Sequence, residues 1–169
     1  MPTATEIKAC RTDGGYLIRV EGRGTMRESP AVREFAAQCL DQRRELTLSV
    51  DLSACEYLDS TFLGCLVGLY RRCQHEPKLH LNVCGDPGTR RRLLGATRLD
   101  TVFQCVEASP EPAGPWVPLS APELEKRDFG LHVLECHERL SELECPSAPA
   151  FKAVAEQLAR ELGQSPGKR

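Results

Sequence analysis

Three adjacent polar residues, Asp59-Ser60-Thr61, are the point in this chain where residue type and spacing converge on chemistry. They stand between an alternating run, Leu46 to Ser53, and an apolar stretch that begins at Phe62. A carboxylate or hydroxyl at such a junction is a natural helix N-cap, and both Asp59 and Ser60 suit the position. The first turn of a helix offers unpaired backbone N–H groups and the positive end of its dipole. A phosphate on Ser60 or Thr61 would be stabilised by both. The other reactive side chains form no comparable pattern. Nine cysteines, an odd number with no CxxC pair, fall mostly inside apolar runs and read as reduced, small hydrophobes. Two loose groupings, Cys73/His75/His80/Cys84 and His132/Cys136/His137/Cys145, lack the paired spacing of a structural zinc site, so no metal or other cofactor is expected. No motif ties the four histidines to a nucleophile, so an enzyme is not expected.

The elements that must position Ser60 are legible around it. Leu46, Leu48, Val50 and Leu52 alternate with Thr47, Ser49, Asp51 and Ser53, the period of a strand. Leu63, Leu66, Val67, Leu69 and Tyr70 fall on one side of a helix, widened by Phe62 and Cys65. Upstream, residues 5–10 and 16–20 flank Asp13-Gly14-Gly15 and predict a hairpin. Ser29-Pro30 predicts a helix start with Ser29 as N-cap, ending near Arg43-Arg44. Downstream, Lys78 to Val83 alternates as a strand, with His80 on its solvated side. Asp86-Pro87 caps a short basic helix, and Thr101 to Val106 predicts a last small strand.

Residues 107–122 hold five of the twelve prolines and predict a linker without regular structure, with Trp116 available as an anchor on the domain. Helices are expected at 123–144, with Val133, His137, Leu140 and Leu143 on one face, and at 149–163. They predict a helical hairpin packed on itself or on the domain. The expected organisation is a domain at 1–106, the linker at 107–122, a helical extension at 123–163 and a disordered tail at 164–169. With 22 basic and 24 acidic residues the net charge is −2, which offers no strong field for nucleic acid or anionic membrane. No apolar run is long enough for a bilayer and the N-terminus lacks a signal-peptide core, so a cytoplasmic location is expected.

The order β-β-α-β-α-β-α-β implies partly parallel pairing with right-handed crossovers. On these residues the chain resembles the STAS domain of bacterial anti-sigma factor antagonists. Asp59, Ser60, Thr61, Leu63 and Gly64 match the family's Asp-Ser-Ser/Thr-Gly-Leu-Gly turn. The run from Asp86 to Phe103 resembles its Ser-Pro, basic helix, Leu-Leu and Phe-containing strand, with Asp86 and Arg98 as departures. The resemblance covers about residues 5–106. It implies an α/β fold, a mixed sheet of four to five strands with helices, to which the C-terminal hairpin is added.

The resemblance also implies a function. A family antagonist binds an anti-sigma factor that is a serine protein kinase, and phosphorylation of the first hydroxyl residue after the Asp switches that binding off. Here that residue is Ser60, with Thr61 second, and a phosphatase would reset it. The expected partner surface is Asp59, Ser60, Thr61 and Phe62 with Arg23, Thr25 and Arg27 of the Gly22–Arg27 loop. Asp59 either aligns the Ser60 hydroxyl or only caps the backbone. Two departures bear on the switch. Phe62 replaces the family's Gly, and the Gly22–Arg27 loop is basic where the family's is acidic. A scaffold whose turn takes no phosphate is the alternative. A nucleotide-binding module using Arg23 and Arg27 ranks last, because no Gly-rich phosphate loop supports it.

Overall fold

The computed structural model describes residues 3–42 and 44–164. The N-terminal hairpin pairs β1 (Glu6–Thr12) with β2 (Gly15–Gly24), Glu6 opposite Glu21 and Thr12 opposite Gly15. Then follow α1 (Ser29–Leu40), β3 (Leu46–Asp51), β4 (Cys55–Leu58) and α2 (Ser60–His75). β5 (Leu79–Cys84), α3 (Pro87–Leu94), a 3-10 turn at Gly95–Thr97, α4 (Leu99–Val102) and β6 (Gln104–Val106) complete the α/β unit. β7 (Val117–Pro118) lies in the proline-rich segment, and α5 (Lys126–Ser141) and α6 (Ala148–Glu161) form the C-terminal hairpin.

Among the described residues the sheet has seven strands in the order β6-β5-β3-β2-β1-β7, with β4 on β2 beyond the end of β3. β2, β3, β5 and β6 are parallel, and β1 and β7 add antiparallel pairs at one edge. The alternation in β3 sends Leu46, Leu48 and Val50 into one core with Ile18, Val20, Leu81 and Val83. Phe62, Leu66 and Leu69 of α2 and Val32, Ala36 and Leu40 of α1 close that core from the helical side. Gly15 is required at the start of β2, since a Cβ there would stand 2.0 Å from the Thr47 carbonyl oxygen.

The sheet exceeds the expected four to five strands through β4 and β7. β4 is too short to alternate visibly, and a two-residue strand leaves no period at all. β7 also corrects the expectation that the proline-rich segment is irregular throughout. Ala113 N–H donates to the Arg11 carbonyl and Leu119 N–H to the Ile7 carbonyl, so the segment lies along β1 as a strap. Trp116 is its anchor, stacked 4.5 Å from the Arg19 guanidinium and 5.5 Å from the Lys8 ammonium.

Further expectations change. Thr101 and Val102 end α4 rather than opening a strand. Arg98 takes the left-handed conformation (φ 58°), which ends the 3-10 turn and restarts the chain as a short helix. Ser29 is the first residue of α1 rather than its N-cap, and its hydroxyl is used elsewhere. α1 ends at Leu40, short of the expected Arg43-Arg44, and Arg43 lies outside the described residues. The two C-terminal helices are slightly shorter than expected. They pack on each other, and α5 packs on α2. Leu134, Ala155 and Ala159 form a small core of their own with Leu131, Leu158 and Leu162, while Cys136 and Leu140 join the main core. The tail at 165–169 lies outside the described residues.

Candidate functional site

β4 delivers the chain to the end of β2, where Gly24 faces Leu58. Asp59 N–H then donates to the Gly24 carbonyl, and α2 starts at the next residue. The Asp59 carboxylate divides its two oxygens. Oδ1 accepts from Phe62 N–H at 2.8 Å and so caps α2. Oδ2 accepts from Met26 N–H at 2.7 Å and ties the Thr25–Arg27 loop to the helix start. A charged acceptor on backbone donors at a helix N-terminus is favoured by geometry and dipole together. Asp59 is therefore the N-cap, and neither oxygen contacts the Ser60 hydroxyl.

The remaining predicted residues divide by exposure. Ser60 is half-buried, Thr25 is half-buried, and Arg23 and Arg27 are exposed. Thr25 is held by Glu28, whose carboxylate accepts from both its N–H and its hydroxyl. The Arg23 guanidinium lies 4.2 Å over the Tyr57 ring, beside exposed Met26. Thr61 and Phe62 stand apart from this surface. Thr61 is 3% exposed and Phe62 is fully buried, so neither side chain is presented to a partner. Phe62 fits beneath the loop because residue 24 is glycine. A Cβ at Gly24 would stand 3.0 Å from the Phe62 ring and 2.6 Å from Leu58. The extra bulk where the family has Gly is thus taken up inside the core.

The Ser60 hydroxyl has a partner that sequence spacing did not reveal. Its Oγ lies 2.9 Å from Nε2 of His137 on α5, a side chain only 6% exposed. His137 Nδ1 lies 2.8 Å from the Val133 carbonyl, which can only accept, so Nδ1 carries the proton. In the neutral ring Nε2 is then the acceptor and Ser60 O–H donates to it. The imidazole occupies the space on that side of Oγ.

A second buried pair runs parallel to the first. His132 Nε2 lies 2.7 Å from Ser29 Oγ at the start of α1, and its Nδ1 lies 2.9 Å from Arg33 Nη1. Arginine only donates, so Nδ1 is unprotonated and Nε2–H donates to Ser29. Burial first, then the Arg33 and Arg139 guanidinium charges, push His132 down to about 4. One helix thus clasps the first turns of both α1 and α2. The contact is close because Gly64 faces it, with Cys136 Cα only 2.6 Å from where a Cβ would stand. Further along, Gly68 faces the Arg139 guanidinium, and Arg71 pairs with Glu142 at 2.8 Å. The one sequence signal for this arrangement was a histidine on the apolar face of a predicted amphipathic helix.

The thiols here are not poised for chemistry. Burial pushes Cys65 and Cys136 up to about 12, so both stay protonated. The four-residue Cys/His groupings form no metal-binding cluster among the described residues. A cleft of about 430 Å³ between the sheet and the strap, lined by Thr12, Asp13, Ser49, Asn82, Val106 and Glu111 among others, shares no residue with the Ser60 turn. No described helix is long and apolar enough to cross a membrane.

Comparison with known proteins follows the same α/β unit. The family model described as "Mlab, STAS domain" matches residues 9–106. No curated protein matches the chain. Among solved structures, the chain is similar to the crystal structure of an anti-sigma factor antagonist from Mycobacterium paratuberculosis. The two are 26% identical, the match covers 63% of this chain and 86% of the other, and the TM-score is 0.48.

Proposed function

The chain belongs to the STAS domain family, and we propose that it acts within it as an anti-sigma factor antagonist, a cytoplasmic, non-enzymatic protein that binds an anti-sigma factor with serine kinase activity and is switched by phosphorylation of Ser60. The observation that carries this reading is the Asp59-capped start of α2. It holds Ser60 as the first helical residue, beside the end of β2, which runs through Gly22–Gly24 of the expected loop and exposes Arg23, and the turn after it, which exposes Met26 and Arg27. The partner surface is then the Ser60 turn with Arg23, Tyr57, Met26 and Arg27. A basic and partly apolar surface suits a partner that presents carboxylates around an apolar centre. A phosphate on Ser60 adds about −1.5 to −2 charges at its edge and repels those carboxylates. A phosphatase restores the binding form.

The test is phosphosite mapping of the full chain from its native cells across growth and stress conditions, with Ser60→Ala as control. A condition-dependent phosphate on Ser60, absent in the variant, is the expected result. Its absence under every condition overturns the switch. A second reading is a scaffold of the same fold that takes no phosphate. The Ser60–His137 hydrogen bond favours it, because the hydroxyl is already committed. A partner complex indifferent to Ser60→Asp would select the scaffold. A nucleotide-binding role for Arg23 and Arg27 has less support, since the Arg23 guanidinium is already stacked on Tyr57.

A further inference from the structure

We infer that the α5–α6 hairpin is a removable cover in cis for the Ser60 turn, and that Ser60 accepts phosphate only when the hairpin has swung away. The inference rests on the reading of Ser60 as the acceptor and adds the regulation of that site by the chain's own C-terminal helices.

Four observations lead here. First, the Ser60 hydroxyl donates to a buried imidazole of α5 that is itself fixed by the Val133 carbonyl. A phosphoryl group on Oγ replaces the proton of this hydrogen bond and, placed along it, would overlap the His137 ring 2.9 Å away, so phosphate on Ser60 and this seat of α5 compete. Second, much of the contact is polar. Ser29 and Arg33 hold His132, Ser60 holds His137, and Arg71 holds Glu142, with Leu140 and Cys136, and Leu143 and Phe151 packed beside them, as the apolar part. Polar contacts lose less on returning to water than apolar ones, so such a seam can open. Third, the hairpin keeps a core of its own at Leu134, Ala155 and Ala159, so it can leave as a unit. Fourth, the strap stays pinned by the Leu119–Ile7 hydrogen bond, and residues 120–125 beyond it carry no regular structure. Six residues extend to roughly 20 Å, enough to lift α5 clear of α2 without undoing the sheet.

Gly64 supplies the perturbation. An alanine there would place its Cβ 2.3 Å from the Cys136 carbonyl oxygen and 2.6 Å from Cys136 Cα, so the backbone of α5 must retreat while α2 itself keeps its helix. The buried thiols supply the readout, because Cys65 and Cys136 lie on the seam whereas Cys39 is a buried residue of α1 and Cys84 a buried residue at the end of β5. Pulsed alkylation of the full chain with N-ethylmaleimide, read thiol by thiol by mass spectrometry, would be run on wild type, Gly64→Ala and His137→Ala. The phosphate occupancy of Ser60 in native cells would be measured for the same three proteins. The expected result is labelling of Cys65 and Cys136 that rises together by about tenfold or more in both variants. Cys39 and Cys84 should stay protected, and Ser60 occupancy should rise several-fold.

Three results would overturn the inference, each at a different point. If Cys65 and Cys136 label no faster in either variant, or only together with Cys39 and Cys84, the hairpin is not a separable cover. If the seam opens and Ser60 phosphate is present but unchanged, the cover does not control the site. If the seam opens and Ser60 never carries phosphate, the acceptor reading fails and the inference fails with it.

Discussion

Acid should loosen the C-terminal hairpin before it unfolds the sheet, and His132 sets the window. Its Nδ1 faces the Arg33 guanidinium at 2.9 Å, its Nε2–H faces Ser29 at 2.7 Å, and Cys136 Sγ lies 4.0 Å from both ring nitrogens. Arg139 is the other nearby cation, paired at 3.8 Å with Glu135. Protonation would put a second N–H and a positive charge against Arg33 in a buried site, which is why the folded value falls from 6.5 to about 4. The sign follows from linkage. Below 6.5 the released, solvated imidazole takes up a proton that the docked one refuses, so stability is full above 6.5, declines as pH falls, and stops changing below about 4. That gap is worth about 3 kcal/mol, or roughly a hundredfold in the open fraction. The carboxylates contribute elsewhere. Burial raises Asp51, but hydrogen bonds from Ser53, Ser109 and Arg19 outweigh it, so its contribution is lost below the ordinary carboxylate value of 3.8. Native-state hydrogen exchange, corrected for intrinsic rates, should show the protection of α5 falling roughly a hundredfold between pH 7 and pH 4 while β3 and β5 stay protected. His132→Gln keeps an acceptor for Arg33 and a donor for Ser29 but does not titrate, so its α5 protection should be flat over the same range. Equal acid loss in wild type and His132→Gln would refute the reasoning, as would α5 protection that does not change with pH.

Phe62→Ala should act as a core deletion rather than as the loss of a partner contact. About 3–5 kcal/mol of stability should disappear in urea unfolding, and any weakening of partner binding should track the unfolded fraction. Trp116→Ala removes the stacking on Arg19 and Lys8. It should cost about 1 kcal/mol and expose residues 107–125 to limited proteolysis while α2 and α5 remain protected.

Several parts of this fold could be read before any coordinates because their causes are local. The β1–β2 hairpin follows from Asp13-Gly14-Gly15, β3 from strict alternation, and α3 from Pro87 preceded by Asp86, and the Asp86 carboxylate accepts from Thr89 N–H at 2.7 Å. Trp116 was an aromatic in a proline-rich run and does anchor it. The parts that escaped are those too short to show a period. β4 spans four residues and β7 two, and α4 takes up two positions assigned to a strand. The Ser29 cap failed for a different reason. Capping propensity describes an isolated helix end, and here a histidine 103 positions away uses the hydroxyl.

At the site, residue type alone placed the cap of α2 at Asp59 or Ser60, since capping involves atoms only a few positions apart, and the structure selects Asp59 with Ser60 as the first helical residue. Only the tertiary structure decided the state of that serine. Whether its hydroxyl faces solvent or a buried imidazole depends on where α5 packs. That placement is set by glycines 64 and 68 on α2, which let the two backbones approach, and by a strap whose path is fixed at β1. The burial of Phe62 was likewise decided at a distance, by the space over Gly24. Short-range hydrogen bonding and periodicity are written in consecutive residues. The packing of one helix on another depends on two surfaces whose residues share no spacing in the chain.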